Sequence, residues 1–142
     1  MPTLKFSHIA LSCTDPVAIE QFYSTHFGFS RARVIPLGED NAIVFLKNDQ
    51  DVYLELFRAD AETTSPKVET GDGPHFSAIR HIAFQVDDVD AKLAEMGDAA
   101  VPTLGPLDFS DFIPGWKTVW VKDPDGNIVE ISQGYTDEAN PV

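Results

Sequence analysis

Cysteine is almost absent from this chain: Cys13 stands alone. A single thiol excludes an internal disulfide and a cluster of thiolate metal ligands. Basic residues are also scarce, 10 Lys and Arg against 23 Asp and Glu, for a net charge of −13. Nucleic acids and anionic membrane surfaces call for a basic footprint, so neither is an expected partner. No apolar run approaches membrane-spanning length, and Met1-Pro2-Thr3-Leu4-Lys5 lacks the apolar core of a secretion signal. A cytoplasmic location is the default expectation. What is present is ordinary for a globular chain: 142 residues, 43% hydrophobic and 23% charged, enough for one domain with a substantial core.

The main signal is an internal duplication. Ser7-His8-Ile9-Ala10-Leu11-Ser12-Cys13-Thr14-Asp15 is answered by Arg80-His81-Ile82-Ala83-Phe84-Gln85-Val86-Asp87-Asp88, with the two His 73 residues apart. Each copy reads as a strand that runs through an Asp into a helix. Asp51-Val52-Tyr53-Leu54-Glu55-Leu56-Phe57 and Gly126-Asn127-Ile128-Val129-Glu130-Ile131-Ser132 close the halves, with the two Glu 75 residues apart. Each half thus offers one His near its start and one Glu near its end.

Local signals supply the elements. Residues 5–13 read as a strand, followed by Asp15 as an N-cap, Pro16 in the first helical turn and Gly28 as the stop. Strands follow at 30–36, 42–47 and 52–58. Residues 59–76 hold Pro66, Gly71, Gly73 and Pro74 without apolar periodicity and read as a linker. The second half repeats the order: a strand at 78–86, a helix from Asp88 to Met96 closed by Gly97, and strands at 100–105, 116–122 and 127–133. A loop rich in apolar side chains fills 106–115, a hairpin turn is expected at Asp123-Pro124-Asp125-Gly126, and 134–142 form a polar tail. The domain organisation is one domain over 1–142: module one at about 5–58, module two at about 77–133.

Strand parity gives the His and Glu a shared setting. Side chains alternate between the faces of a strand. Ile9 and Leu11, Leu54 and Leu56, Ile82 and Phe84, and Val129 and Ile131 fall opposite His8, Glu55, His81 and Glu130 respectively. The aliphatic faces suit cover by the two helices, and the mixed faces suit a ligand cavity. Carboxylates turned into one cavity repel and are poorly solvated, and a divalent cation relieves both problems. Imidazole and carboxylate donors without thiolate suit Zn, Ni, Co, Mn or Fe. His26 and His75 have no counterpart in the other half and read as a helix end and a linker residue. Phe109, Phe112, Trp116 and Trp120 fit either core or a pocket lid.

These motifs, above all His81-Ile82-Ala83-Phe84 before its Asp-rich cap and Asp123-Pro124-Asp125-Gly126-Asn127 before Glu130, resemble the vicinal oxygen chelate superfamily, the glyoxalase, bleomycin-resistance and dioxygenase group. The resemblance implies an α+β fold, two tandem βαβββ modules forming a cupped mixed eight-stranded sheet around a metal-binding cavity. It implies His8, Glu55, His81 and Glu130 as ligands of one divalent metal. Two His with two carboxylates are similar to the glyoxalase I and methylmalonyl-CoA epimerase branch. The implied activity is a glyoxalase-type isomerase or lyase reaction on a small substrate that chelates the metal through vicinal oxygens and passes through an enediolate. Glu130 or Glu55 would be the base, with Glu130 preferred. Two alternatives remain: a non-catalytic hydrophobic-ligand-binding or antibiotic-resistance protein, and a metal-dependent dioxygenase.

The resemblance also implies paired chains, because isolated modules leave sheet edges and faces to be covered. Light scattering at micromolar concentration should therefore give about twice the 15.6 kDa chain mass. A single-chain mass would remove the homodimer expectation.

Overall fold

The computed structural model describes residues 2–142. The chain divides into two compact units, one ending at Ser65 and the other spanning Pro66–Val142.

The first unit runs β1 (Ile9–Cys13), α1 (Pro16–Phe27), β2 (Ser30–Gly38), β3 (Asn41–Lys47) and β4 (Tyr53–Arg58). Its sheet is mixed, in the order β1-β4-β3-β2. β1 lies parallel to β4, while β4, β3 and β2 form an antiparallel meander. The second unit repeats this with β5 (Ile82–Gln85), α2 (Val89–Met96), β6 (Pro102–Asp108), β7 (Lys117–Lys122) and β8 (Ile128–Gln133). Its sheet order is β5-β8-β7-β6, with β5 parallel to β8. The expected α+β class and tandem βαβββ modules are both present. The eight strands are hydrogen-bonded as two four-stranded sheets, one in each module.

Local chemistry sets the helix ends. The Asp15 carboxylate accepts from the Ala18 N–H at 3.1 Å, Pro16 opens α1, and Gly28 ends it in the left-handed region at φ 72°. Asp88 caps α2 in the same way through the Ala91 N–H at 3.0 Å. A single 3-10 turn, Gly97–Ala99, follows α2.

Several strand limits differ from the sequence reading. β1 and β5 begin at Ile9 and Ile82, so His8 and His81 each stand one residue before their strand. A parallel strand lasts only as long as its partner. β4 begins at Tyr53 and β8 at Ile128, which leaves no ladder for residues 5–7 or 78–80. β2 continues to Gly38, and β6 runs to Asp108, into the segment expected to be loop. There Leu107 and Asp108 pair with Thr118 and Lys117, and backbone pairing outweighs the Pro and Gly punctuation.

The predicted parity holds. Leu54, Leu56, Val129 and Ile131 are at most 1% exposed, while Ala10, Ser12, Ala83 and Gln85 are open. Ile19, Phe22 and Tyr23 of α1 are buried, and this helix packs on β4. Val89 and Met96 of α2 are buried, and α2 packs on β7 and β8. Among the described residues, no helix is long and apolar enough to cross a membrane.

Leu54 is fully buried next to Glu55. Leu54→Ala should lower unfolding stability by roughly 2–5 kcal/mol, the usual cost of a large-to-small core change. Leu37→Ala, at a half-open position, should stay within about 0.5 kcal/mol. Urea denaturation of the two variants checks this, and equal midpoints would place Leu54 outside the core.

Candidate functional site

Each unit assembles one His–Glu pair, and both use the same register. Ala10 pairs with Glu55 across β1 and β4, and Ala83 pairs with Glu130 across β5 and β8. His8 and His81 lie two residues before those alanines, on the same face by strand alternation. His8 Nε2 is 3.4 Å from Glu55 Oε1, and His81 Nε2 is 2.8 Å from Glu130 Oε2.

A matching turn leads into each Glu. Asn48, seven residues before Glu55, accepts from the Gln50 and Val52 N–H groups, both at 3.0 Å. Asp123, seven residues before Glu130, accepts from the Asp125 and Asn127 N–H groups, both at 2.9 Å. These Asx turns reverse the chain and fix where β4 and β8 start. The residue before each strand approach has positive φ, 58° at Asp51 and 81° at Gly126.

An aromatic ring accompanies each pair at the same register position. Phe45 pairs with Glu55 across β3 and β4, and its ring meets His8 edge-on at 5.7 Å. Trp120 pairs with Glu130 across β7 and β8, and its ring meets His81 at 6.2 Å. In the first unit, a cleft of about 310 Å³ beside His8 is lined by Lys5, Phe6, Phe45 and Tyr53 among others.

The two pairs differ in their support. His81 Nδ1 lies 2.6 Å from the Asp72 carbonyl oxygen. A carbonyl only accepts, so Nδ1 carries the proton. In the neutral ring, Nε2 then presents a bare lone pair to the Glu130 carboxylate. Two acceptors 2.8 Å apart repel, and a divalent cation between them would relieve that repulsion. Glu130 Oε1 accepts from the buried Thr118 hydroxyl at 2.7 Å. The Ile131 carbonyl, at 3.1 Å, competes for that proton, but the carboxylate is the stronger acceptor. In the first unit, His8 Nδ1 meets the exposed Ser7 hydroxyl at 2.8 Å. The position matching Thr118 is Ile43, which offers no hydroxyl.

The site residues expected from sequence are therefore brought together as two pairs, His8 with Glu55 and His81 with Glu130. Within each unit, no third His, Cys, Asp or Glu joins a pair to form a larger cluster among the described residues. The donor types and the orientation of His81 Nε2 fit a borderline divalent transition ion. Of the aromatic residues first read as core or lid, Trp120 is buried beside the pair, and its indole N–H has no acceptor among the described residues. Trp116 is half-buried against Phe109 and Tyr135, and Phe112 is exposed. Sequence reasoning missed Thr118, Phe45 and the Asp72 carbonyl. A hydroxyl inside the buried run Thr118-Val119-Trp120-Val121 was the signal available for the first.

Tandem βαβββ modules with a repeated His–carboxylate pair define a protein of the glyoxalase class. Residues 5–131 match the Glyoxalase/Bleomycin resistance protein/Dioxygenase superfamily, and the chain belongs to it. It is similar to the solved lactoylglutathione lyase from Agrobacterium tumefaciens, with 27% identity, TM-score 0.58, and 94% of this chain and 96% of that chain covered. It is also similar to a glyoxalase family protein from Enterococcus faecalis, with 25% identity, TM-score 0.68, and 90% and 96% covered. An antibiotic binding protein from Streptomyces shares the fold at 21% identity and TM-score 0.65, with 95% and 99% covered. No match was found among curated proteins.

Asp72 also holds a charge network beside the second pair. Its carboxylate meets Arg80 at 3.1 Å and His75 at 3.5 Å. Partial burial opposes ionisation, but the Arg80 hydrogen bond and charge outweigh it and hold the carboxyl below its ordinary value of 3.8. A carboxyl depressed in the folded state stabilises the protein above its unfolded value and loses that contribution as the pH falls through its folded value. Asp72→Asn should therefore lower the urea midpoint near neutral pH. The gap to wild type should close as the pH drops below about 4, the unfolded Asp value. A gap that persists unchanged into strong acid would remove this electrostatic account.

Proposed function

We propose that this protein is a metal-dependent isomerase or lyase of glyoxalase type, acting on a small substrate with oxygens on adjacent carbons. The observation that carries this reading is the His–Glu pair built twice in one register, at His8 and Glu55 and at His81 and Glu130. An ion pair serving stability alone would not need a matching copy, and the duplicated donors offer two imidazoles and two carboxylates, the donor types of a divalent-metal site. In this reading His8 and His81 bind through Nε2, and Glu55 and Glu130 through carboxylate oxygens. The bound ion would supply Lewis acidity, polarising a substrate carbonyl and acidifying the neighbouring C–H.

Glu130 is the residue assigned to the proton. Its Oε1 is held by the Thr118 hydroxyl, so the carboxylate is aimed by a neutral donor. It would take the proton from the hydroxyl-bearing carbon beside the carbonyl and return it to the former carbonyl carbon, while the hydroxyl proton shifts to the former carbonyl oxygen, which moves the carbonyl. Glu55, without a matching hydroxyl, serves as a ligand. The unmet Trp120 N–H supports a substrate rich in oxygen. Leaving such a donor buried and unpaired costs roughly 1–3 kcal/mol, which an oxygen acceptor would recover.

The test joins metal binding to proton transfer. Wild type should bind about one Zn²⁺, Ni²⁺ or Co²⁺ per four-ligand set by calorimetry, and His81→Ala should lose tight binding. Glu130→Gln should keep much of the metal affinity, because an amide still offers an oxygen, but cannot accept a proton. Deuterium exchange over 2-hydroxyketones, 2-oxoaldehyde thiol adducts and branched acyl thioesters should be slower by roughly 10²-fold in Glu130→Gln. Equal, weak metal binding by wild type and His81→Ala would sink the metal reading. Full exchange activity in Glu130→Gln would transfer the base role to Glu55.

A further inference from the structure

The segment before β5 has no regular structure, yet it is latched onto the second sheet. The Gly71 N–H donates to the Thr103 carbonyl at 3.0 Å, and the Thr103 hydroxyl donates back to the Gly71 carbonyl at 2.7 Å. Lys122 pairs with Glu69, and Lys67 donates to Asn127 at 2.7 Å. Arg80, next to His81, holds the Asp72 carboxylate at 3.1 Å. The strap therefore reaches β6, β7, the Asp123 turn and the start of β5.

Gly73 is the point of closest approach. It is buried, with φ 126°, a value that side chains rarely allow. A Cβ there would sit 2.0 Å from the Arg80 carbonyl oxygen. No flexible side-chain end is available to yield, so any larger residue must push the strap away from residues 80–81. The Asp72 carbonyl, one residue earlier, would move with it.

The geometry points to a positioning role for this strap: Gly73 lets the Asp72 carbonyl reach His81 Nδ1, and that bond holds the ring proton on Nδ1 so that Nε2 is free for a divalent cation. The inference rests on the proposed metal reading, but its first consequence concerns the metal-free protein. Without the carbonyl, the neutral ring gains more by placing its proton on Nε2 and donating it to Glu130, 2.8 Å away. That proton would then occupy the lone pair a metal needs. Ligating histidines are commonly oriented in this way through their second nitrogen. The acceptor here is a main-chain group, set by glycine and not by the Asp72 side chain.

The experiment reads the tautomer directly. Long-range ¹H–¹⁵N spectra of metal-free protein at about pH 8.5, above the usual imidazole range, should show His81 protonated at Nδ1 in wild type. In Gly73→Ala the proton should shift to Nε2, and Zn²⁺ affinity by calorimetry should fall by roughly 10–100-fold, the usual effect of removing a partner of a ligand. If Gly73→Ala does not fold, Thr103→Val opens the same latch more gently and should move both readouts in the same direction. A merely structural role would lower the melting temperature while leaving the proton on Nδ1 and the affinity intact. The inference is overturned if wild-type His81 carries its proton only on Nε2. It is equally overturned if a folded strap variant keeps both tautomer and affinity, or changes the tautomer without weakening Zn²⁺. A wild type that binds no Zn²⁺ defeats the metal reading and the strap's role toward metal together, while a moved proton would still establish that the strap sets the ring.

Discussion

The parallel pairing of the first and last strand of each module is the constraint on which the rest depends. It sets Ala10 beside Glu55 and Ala83 beside Glu130, and so carries each His onto the face of its Glu. A one-residue slip in either pairing would turn the Glu to the helix-covered side and bring an aliphatic residue to the open face. The fully buried Leu54, Leu56, Val129 and Ile131 make such a slip costly, because each would leave the core while a carboxylate entered it. Core packing and site geometry are thus two results of one register. The Asx turns at Asn48 and Asp123 reinforce it by fixing where the final strand of each module begins.

The two pairs share one register but are unequal in their support. His81 and Glu130 each have a dedicated partner, the Asp72 carbonyl and the Thr118 hydroxyl. His8 is close to the exposed Ser7 hydroxyl, and its contact with Glu55 is longer at 3.4 Å. A carboxylate and an imidazole that are both held from behind lose less conformational freedom on binding a ligand. The second pair is the pre-organised one on this account, and the first is free to adjust. The aromatic partner differs too: Phe45 is purely apolar, whereas Trp120 carries a buried N–H. The asymmetry distinguishes two carboxylates that the sequence repeat alone presents as equals.

Much of the fold was legible from local chemistry. Asp15-Pro16 and Gly28 mark the ends of α1 because capping needs only residues a few positions apart, and Asp88 and Gly97 do the same for α2. Period-two alternation placed the aliphatic faces correctly, since strand pleating does not depend on which partner a strand finds. The strand limits at Ile9, Ile82 and Asp108 were not legible, because each is set by the length of a neighbour distant in sequence.

The sequence by itself determined the duplication, the α+β modules and the helix caps, and it singled out His8, Glu55, His81 and Glu130 as candidates, because repeats, periodicity and capping are written in short-range order. Only the tertiary structure decided which His meets which Glu and which ring nitrogen of His81 faces Glu130. It also decided that Thr118 rather than another hydroxyl holds Glu130, and that the Asp72 carbonyl of an aperiodic strap meets His81. Those outcomes depend on main-chain atoms and on register between segments far apart in the chain. A backbone carbonyl has no side-chain signature, so the Asp72–His81 bond could appear only once the chain was folded.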